Sequence, residues 1–162
     1  MESFVTWFAA TIGQYISPQL SVFFVSMLPV IEERGGIILG RMLQLPMWQT
    51  VIFCVLGNIL PIPFILFGMK KLLKWMDEHH LSKAASWLRR KAKKNKPAID
   101  KYGFWGLALF VGIPLPGTGA WTGSLVASVF DMDVKPASIS ILIGVFLAAL
   151  IVTSISYGVF AL

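Results

Sequence analysis

Two stretches of this chain, residues 46–69 and 136–162, carry no charged side chain. At about 1.5 Å rise per residue, each is long enough as a helix to cross a hydrocarbon core of roughly 30 Å. A helix satisfies its own backbone N–H and C=O groups, which is what lipid requires of any segment that crosses it. Composition agrees, with 56% hydrophobic residues in 162 and a mean hydropathy of +0.74, outside the range of ordinary soluble domains. The chain therefore reads as one all-α integral membrane domain, residues 1–162.

Charge gives that domain a direction. Residues 70–101 hold eleven of the fourteen Lys and Arg against three acids, while the rest of the chain has three basic and five acidic residues. By the positive-inside rule the 70–101 segment is cytoplasmic, which makes the protein multi-pass and leaves the C-terminus outside. The expected location is the cell membrane of a prokaryote. The N-terminus lacks the basic region and cleavage site of a secretory signal and is expected to be retained. The single cysteine, Cys54, lies in the first span, excludes an intrachain disulfide and is expected as a small buried filler.

With 46–69 and 136–162 as spans, residues 18–45 and 102–131 need an account. Each is apolar but interrupted: "LSVFFVSMLPVI" meets "EER" and then "GGIILGRMLQL", and "GFWGLALFVGI" meets "PLPGTG" and then "AWTGSLVASVF". Arms of this length make about 16 to 20 Å of helix, too short to span but enough to reach the midplane. The expected architecture is an inverted repeat of a re-entrant helical hairpin followed by a transmembrane helix, with both tips meeting near the middle of the bilayer. Pro29 and Pro114 precede the tips, Gly35 and Gly119 lie in or just after them, and Pro46 and Pro136 open the spans. The alternative is a single kinked span over 102–131, which places the C-terminus on the other side. Residues 1–17, with Phe4, Phe8, Ile12 and Ile16 at i, i+4 spacing, are expected as an interfacial or bundle-packed helix. Residues 70–101 are expected as a basic amphipathic helix on the anionic cytoplasmic membrane surface, with Pro97 stopping it.

The first tip places Glu32, Glu33 and Arg34 between apolar arms, and a charge at the bilayer centre costs about 2.5 to 3.5 kcal/mol even on lenient scales. The charges are expected to be paired or hydrated; an interfacial, solvated loop is the alternative. The second tip, residues 113–123, has no charge and offers backbone: Gly117 and Gly119 permit unusual dihedrals, and Thr118 is expected to cap the helix beginning near Ala120. Half-helix N-termini near Ala120 and near Arg34 together with the guanidinium would cradle a phosphate. Burial favours a protonated glutamate and Arg34 an ionised one, so a phosphate that takes Arg34 would release a carboxylate to bind a proton. Arg41, two turns beyond Arg34, is a second phosphate contact or snorkels outward. Trp121 fits packing better than a ligand platform. Asn58, with Pro61 and Pro63, marks a kink or an interhelical polar contact. Asp131, Asp133, His79 and His80 are expected in water. No cofactor is implied, and no two ligands share an intramembrane helical face at a spacing that suits a metal.

"PVIEERGGIILG" with "PLPGTGAWTGSL" resembles the small multidrug export protein family, itself similar to the DedA/VTT superfamily of membrane lipid transporters. The resemblance covers nearly the whole chain and implies the paired hairpins argued above, often in a homodimer. It also implies that Glu32, Arg34, Gly117, Thr118 and Gly119 belong to the site, and Gly35, beside Arg34 in the first tip, is counted with the substrate-binding residues. Glu33 departs from the resembled pattern, where an apolar residue is expected, and Glu32 is the favoured proton carrier. The expected function is translocation of an anionic lipid phosphate, such as undecaprenyl phosphate or a phospholipid, with proton coupling. The alternative is proton-coupled export of small cationic drugs. An enzyme is not expected, because no pair resembles a nucleophile with its base, and neither is a nucleic-acid partner.

Overall fold

The computed structural model describes residues 16–100, 102–115 and 117–158; the expected N-terminal helix lies almost wholly outside them. The described residues form eight helices and no strands: α1 (Pro18–Ser26), α2 (Glu32–Met42), α3 (Met47–Ile59), α4 (Pro61–Glu78), α5 (Ser82–Asp100), α6 (Gly103–Gly112), α7 (Ala120–Val129) and α8 (Val134–Ser156). Two stretches are long and apolar enough to cross a membrane, Met47–Met69 and Val134–Ser156. They overlap the two uncharged runs, the second starting two residues earlier and taking in Lys135.

Local chemistry sets the boundaries. Ser17 caps α1, its hydroxyl accepting from the Leu20 N–H at 3.3 Å, and Pro18 fills the first helical position, where a missing N–H is harmless. Pro61 and Pro63 cannot donate to the carbonyls four residues earlier, so regular bonding lapses between α3 and α4, although Leu60 keeps helical dihedrals (φ −56°, ψ −42°). Three helices end on a residue in the left-handed region: Gln44, His80 and Asp131, with φ of 56°, 61° and 57°. The next N–H in each case reaches back five residues, Leu45 to Gly40, Leu81 to Met76 and Met132 to Ala127, which is the Schellman closure.

The basic segment departs from a single helix. Residues 70–78 continue α4, a turn at 79–81 follows, and α5 takes the rest. Arg89 joins the two helices through a two-pronged ion pair with Asp77, at 2.6 and 3.2 Å. Pro97 lies inside α5, and the helix ends three residues later. A proline deletes one hydrogen bond to the preceding turn, and near a helix end that loss is tolerated.

The chain divides into two units, one of residues up to Leu60 with those from Val145 onward, the other Pro61–Gly144. In the first, α1, α2 and α3 pack against one another; in the second, α7 packs on α4, α5 and α6. One packing pattern occurs in both. A Cβ on Gly36 would strike Ser26 and Cys54, with the Val22 carbonyl close behind; one on Gly123, 87 residues later, would strike Val111, with Leu107 and Ile141 next. A Cβ on Gly57 would strike the Phe23 carbonyl; one on Gly144, again 87 residues later, would strike the Ala108 carbonyl and Val111. The partners from α1 and α6 (Val22 and Leu107, Phe23 and Ala108, Ser26 and Val111) are offset by 85 residues, those from α3 and α8 (Cys54 and Ile141) by 87.

Candidate functional site: the turn at the head of α2

A run of tight turns connects α1 to α2. Met27 and Leu28 donate to Phe24 and Val25, and Ile31 and Glu32 both donate to the Leu28 carbonyl, at 3.2 and 3.0 Å. Glu32 then opens α2 with φ +53°, in the left-handed region. The other non-glycine residues there close helices; Glu32 starts one, a strained conformation of the sort that persists where surrounding packing imposes it.

Helix α2 therefore begins at Glu32 rather than near Arg34, and its first turn holds Glu32, Glu33, Arg34 and Gly35. Two carboxylates there suit the positive end of the helix dipole. The N–H groups of Glu32 and Gly35 already serve the carbonyls of Leu28 and Ile31, so this end offers fewer backbone donors than a bare helix N-terminus. Attraction for an anion rests on the half-buried Arg34 guanidinium.

The two glutamates differ. Glu32 is buried and, like Arg34, interacts with other groups. Glu33 is fully buried, and neither of its carboxylate oxygens has a hydrogen-bond partner among the described residues. The Cys54 thiol lies within electrostatic reach of it and beside the Ser26 hydroxyl, and the unit holds a further fully buried polar group without a partner among the described residues, the Asn58 carboxamide. Ser26 and Cys54 meet across Gly36, and Asn58 is one helical turn beyond Cys54 on the same face of α3. The sequence carried a signal for Asn58, beside its two prolines; serine and cysteine are too ordinary in apolar helices to stand out.

The second tip lies in the other unit. Residues 113–115 and 117–119 are not helical, and two short helices, α6 and α7, lie on either side of them. Thr118 does not occupy the cap: its hydroxyl lies 2.9 Å from both the Ile113 and Leu115 carbonyls and its proton closes the turn. Gly119 takes the cap position with φ 128°, and Gly117 has φ 84°, both conformations that favour glycine. Trp121 is half-buried in the first turn of α7. Arg41 stands at the far end of α2, its guanidinium 5.3 Å from the centre of the Tyr157 ring. Among the described residues, no three of His, Cys, Asp and Glu gather as metal ligands.

Two long apolar segments, short helices broken by positive-φ turns, and a carboxylate buried beside a guanidinium define a helical membrane protein. Residues 32–151, well over half of the chain, match the family described as "Putative small multi-drug export protein", and the chain belongs to that family. No curated protein and no solved structure matches it.

Proposed function

We propose that the chain is a proton-linked transporter that moves an anionic lipid phosphate, of the undecaprenyl phosphate or phospholipid kind, across the bilayer. The observation that carries the reading is the succession, in one turn of α2, of a fully buried carboxylate without a partner among the described residues, Glu33, and a half-buried guanidinium, Arg34. A planar guanidinium binds phosphate with two parallel hydrogen bonds. A buried carboxylate without a partner is tolerated when a proton or a cation neutralises it. Weight therefore moves from Glu32 to Glu33 as the proton carrier. Membership of an export family supports transport, not catalysis.

The same reading gives the chain re-entrant hairpins followed by spans, present twice in opposite directions, residues 70–101 in the prokaryotic cytoplasm, a homodimeric assembly and kinship with the DedA/VTT superfamily. The recurrent glycine packing supports the duplication. Gly117, Thr118, Gly119 and Trp121 are assigned to the substrate path, and Arg41 to the outer surface.

One observation favours a second reading, export of small cationic amphiphiles: Glu33 is a negative group in want of a positive one. Vesicles containing the purified chain, loaded with labelled undecaprenyl phosphate or with a cationic dye under a pH gradient, separate the two. Lipid movement lost in Arg34→Ala supports the first reading. Dye export that survives Arg34→Ala, with no lipid movement in the wild type, supports the second.

A further inference from the structure

The recurrent packing allows buried positions in the two halves to be compared one by one. Ser26 and Cys54, which crowd Gly36, correspond to Val111 and Ile141, which crowd Gly123. Glu33 follows a residue of positive φ, Glu32, as Ala120 follows Gly119. Asn58 directly follows Gly57, as Val145 follows Gly144. All eight are fully buried. One packing arrangement is thus filled with apolar side chains in one place and with polar ones in the other. Packing does not require the polar set, and each buried polar group left unsatisfied costs about 1–3 kcal/mol. Three such choices at matched positions, Ser26, Glu33 and Asn58, call for something that binds there.

We infer that Ser26, Glu33 and Asn58 form a site for a small monovalent metal cation of the Na⁺ kind. Proximity follows from the packing. Ser26 and Cys54 meet across Gly36, Glu33 lies one helical turn before Gly36 and within electrostatic reach of Cys54, and Asn58 is one turn along α3 from Cys54. The donors are a carboxylate, a carboxamide oxygen and a hydroxyl, hard oxygens suited to a hard cation. One carboxylate and one monovalent ion sum to zero charge. A divalent ion would leave a net positive charge buried close to Arg34.

A proton alone neutralises Glu33 but gives nothing to the Asn58 oxygen or the Ser26 hydroxyl; a cation engages all three. The titratable or charged groups facing the site are Glu32 and Arg34 from α2 and the Cys54 thiol from α3, and the described part of α1 contributes none. A coupling role for this ion rests on the transport reading above. Binding itself does not.

The test uses the full chain in detergent, unfolded by heat in NaCl or in choline chloride of equal ionic strength, with retention of radiolabelled Na⁺ measured in parallel. The expected results are saturable Na⁺ retention and a midpoint raised by NaCl alone. Glu33→Gln should abolish both effects. Asn58→Val and Ser26→Val, which import the side chains found at the matched positions, should fold and bind Na⁺ about tenfold or more weakly. Equal midpoints in NaCl and choline chloride, absence of saturable retention in the wild type, or undiminished binding in Asn58→Val would overturn the inference. Vesicles that move no lipid while Na⁺ binding persists would retire the lipid-transport reading and leave the site standing.

Discussion

The Tyr157 hydroxyl lies 2.8 Å from Thr50 Oγ1, so a single phenol joins the end of α8 to the first turn of α3. It donates to the Leu45 carbonyl at 3.1 Å, which leaves the Thr50 hydroxyl as the donor in the shorter contact. Arg41 lies over the same ring. That placement fits a side chain that has left the α2 turn and reached towards the surface, stabilised by the ring face.

Replacing Tyr157 by Phe keeps the ring beneath Arg41 and removes both hydrogen bonds. The expected loss is about 1–2 kcal/mol, since each net hydrogen bond contributes about 0.5–1.5 kcal/mol. Chemical unfolding in detergent measures it, and Thr50→Val on the Tyr157→Phe background should add little.

Gly57→Ala and Gly144→Ala should each destabilise by about 1–3 kcal/mol, because the added methyl meets a backbone carbonyl that cannot rotate away. Gly68 provides the control. Nothing lies within 4 Å of a Cβ there, and Gly68→Ala should be neutral or stabilise by up to about 1 kcal/mol through the helix alone. Thermal midpoints of the three variants check the set.

Arg89 holds the Asp77 carboxyl below the usual carboxylate range, chiefly through their hydrogen bonds. A depressed folded value means the contribution is present above the unfolded carboxylate value and disappears as pH falls through the folded one. The pair is exposed at the surface, so the effect is small and screened by salt. Protease cleavage at the 79–81 turn should therefore rise in strong acid, and Arg89→Ala should remove that acid-dependent step.

Much of this was legible in the chain because lipid leaves few choices. An uncharged run long enough to span has to be a helix, and Met47–Met69 and Val134–Ser156 are where the runs lie. Prolines and glycines marked the breaks at Leu60 and Gly119. Pro97 misled because a proline interrupts one bond, not a helix, and here it lies within four residues of the end. The pairing of Arg41 with Tyr157 depends on residues at opposite ends of the chain, which no local pattern records. Glu32 and Glu33 look alike as letters. The left-handed turn at Glu32 faces them differently, and only Glu33 is left fully buried without a partner among the described residues.

The most direct test of the central claim is the response of lipid-phosphate movement to an imposed pH gradient, in vesicles containing the wild type, Glu32→Gln or Glu33→Gln. Gln keeps the shape of each side chain and removes only its charge and titration. Wild type and Glu32→Gln should speed up with the gradient, and Glu33→Gln should show no response to it. A Glu33→Gln protein that follows the gradient as the wild type does would contradict the account.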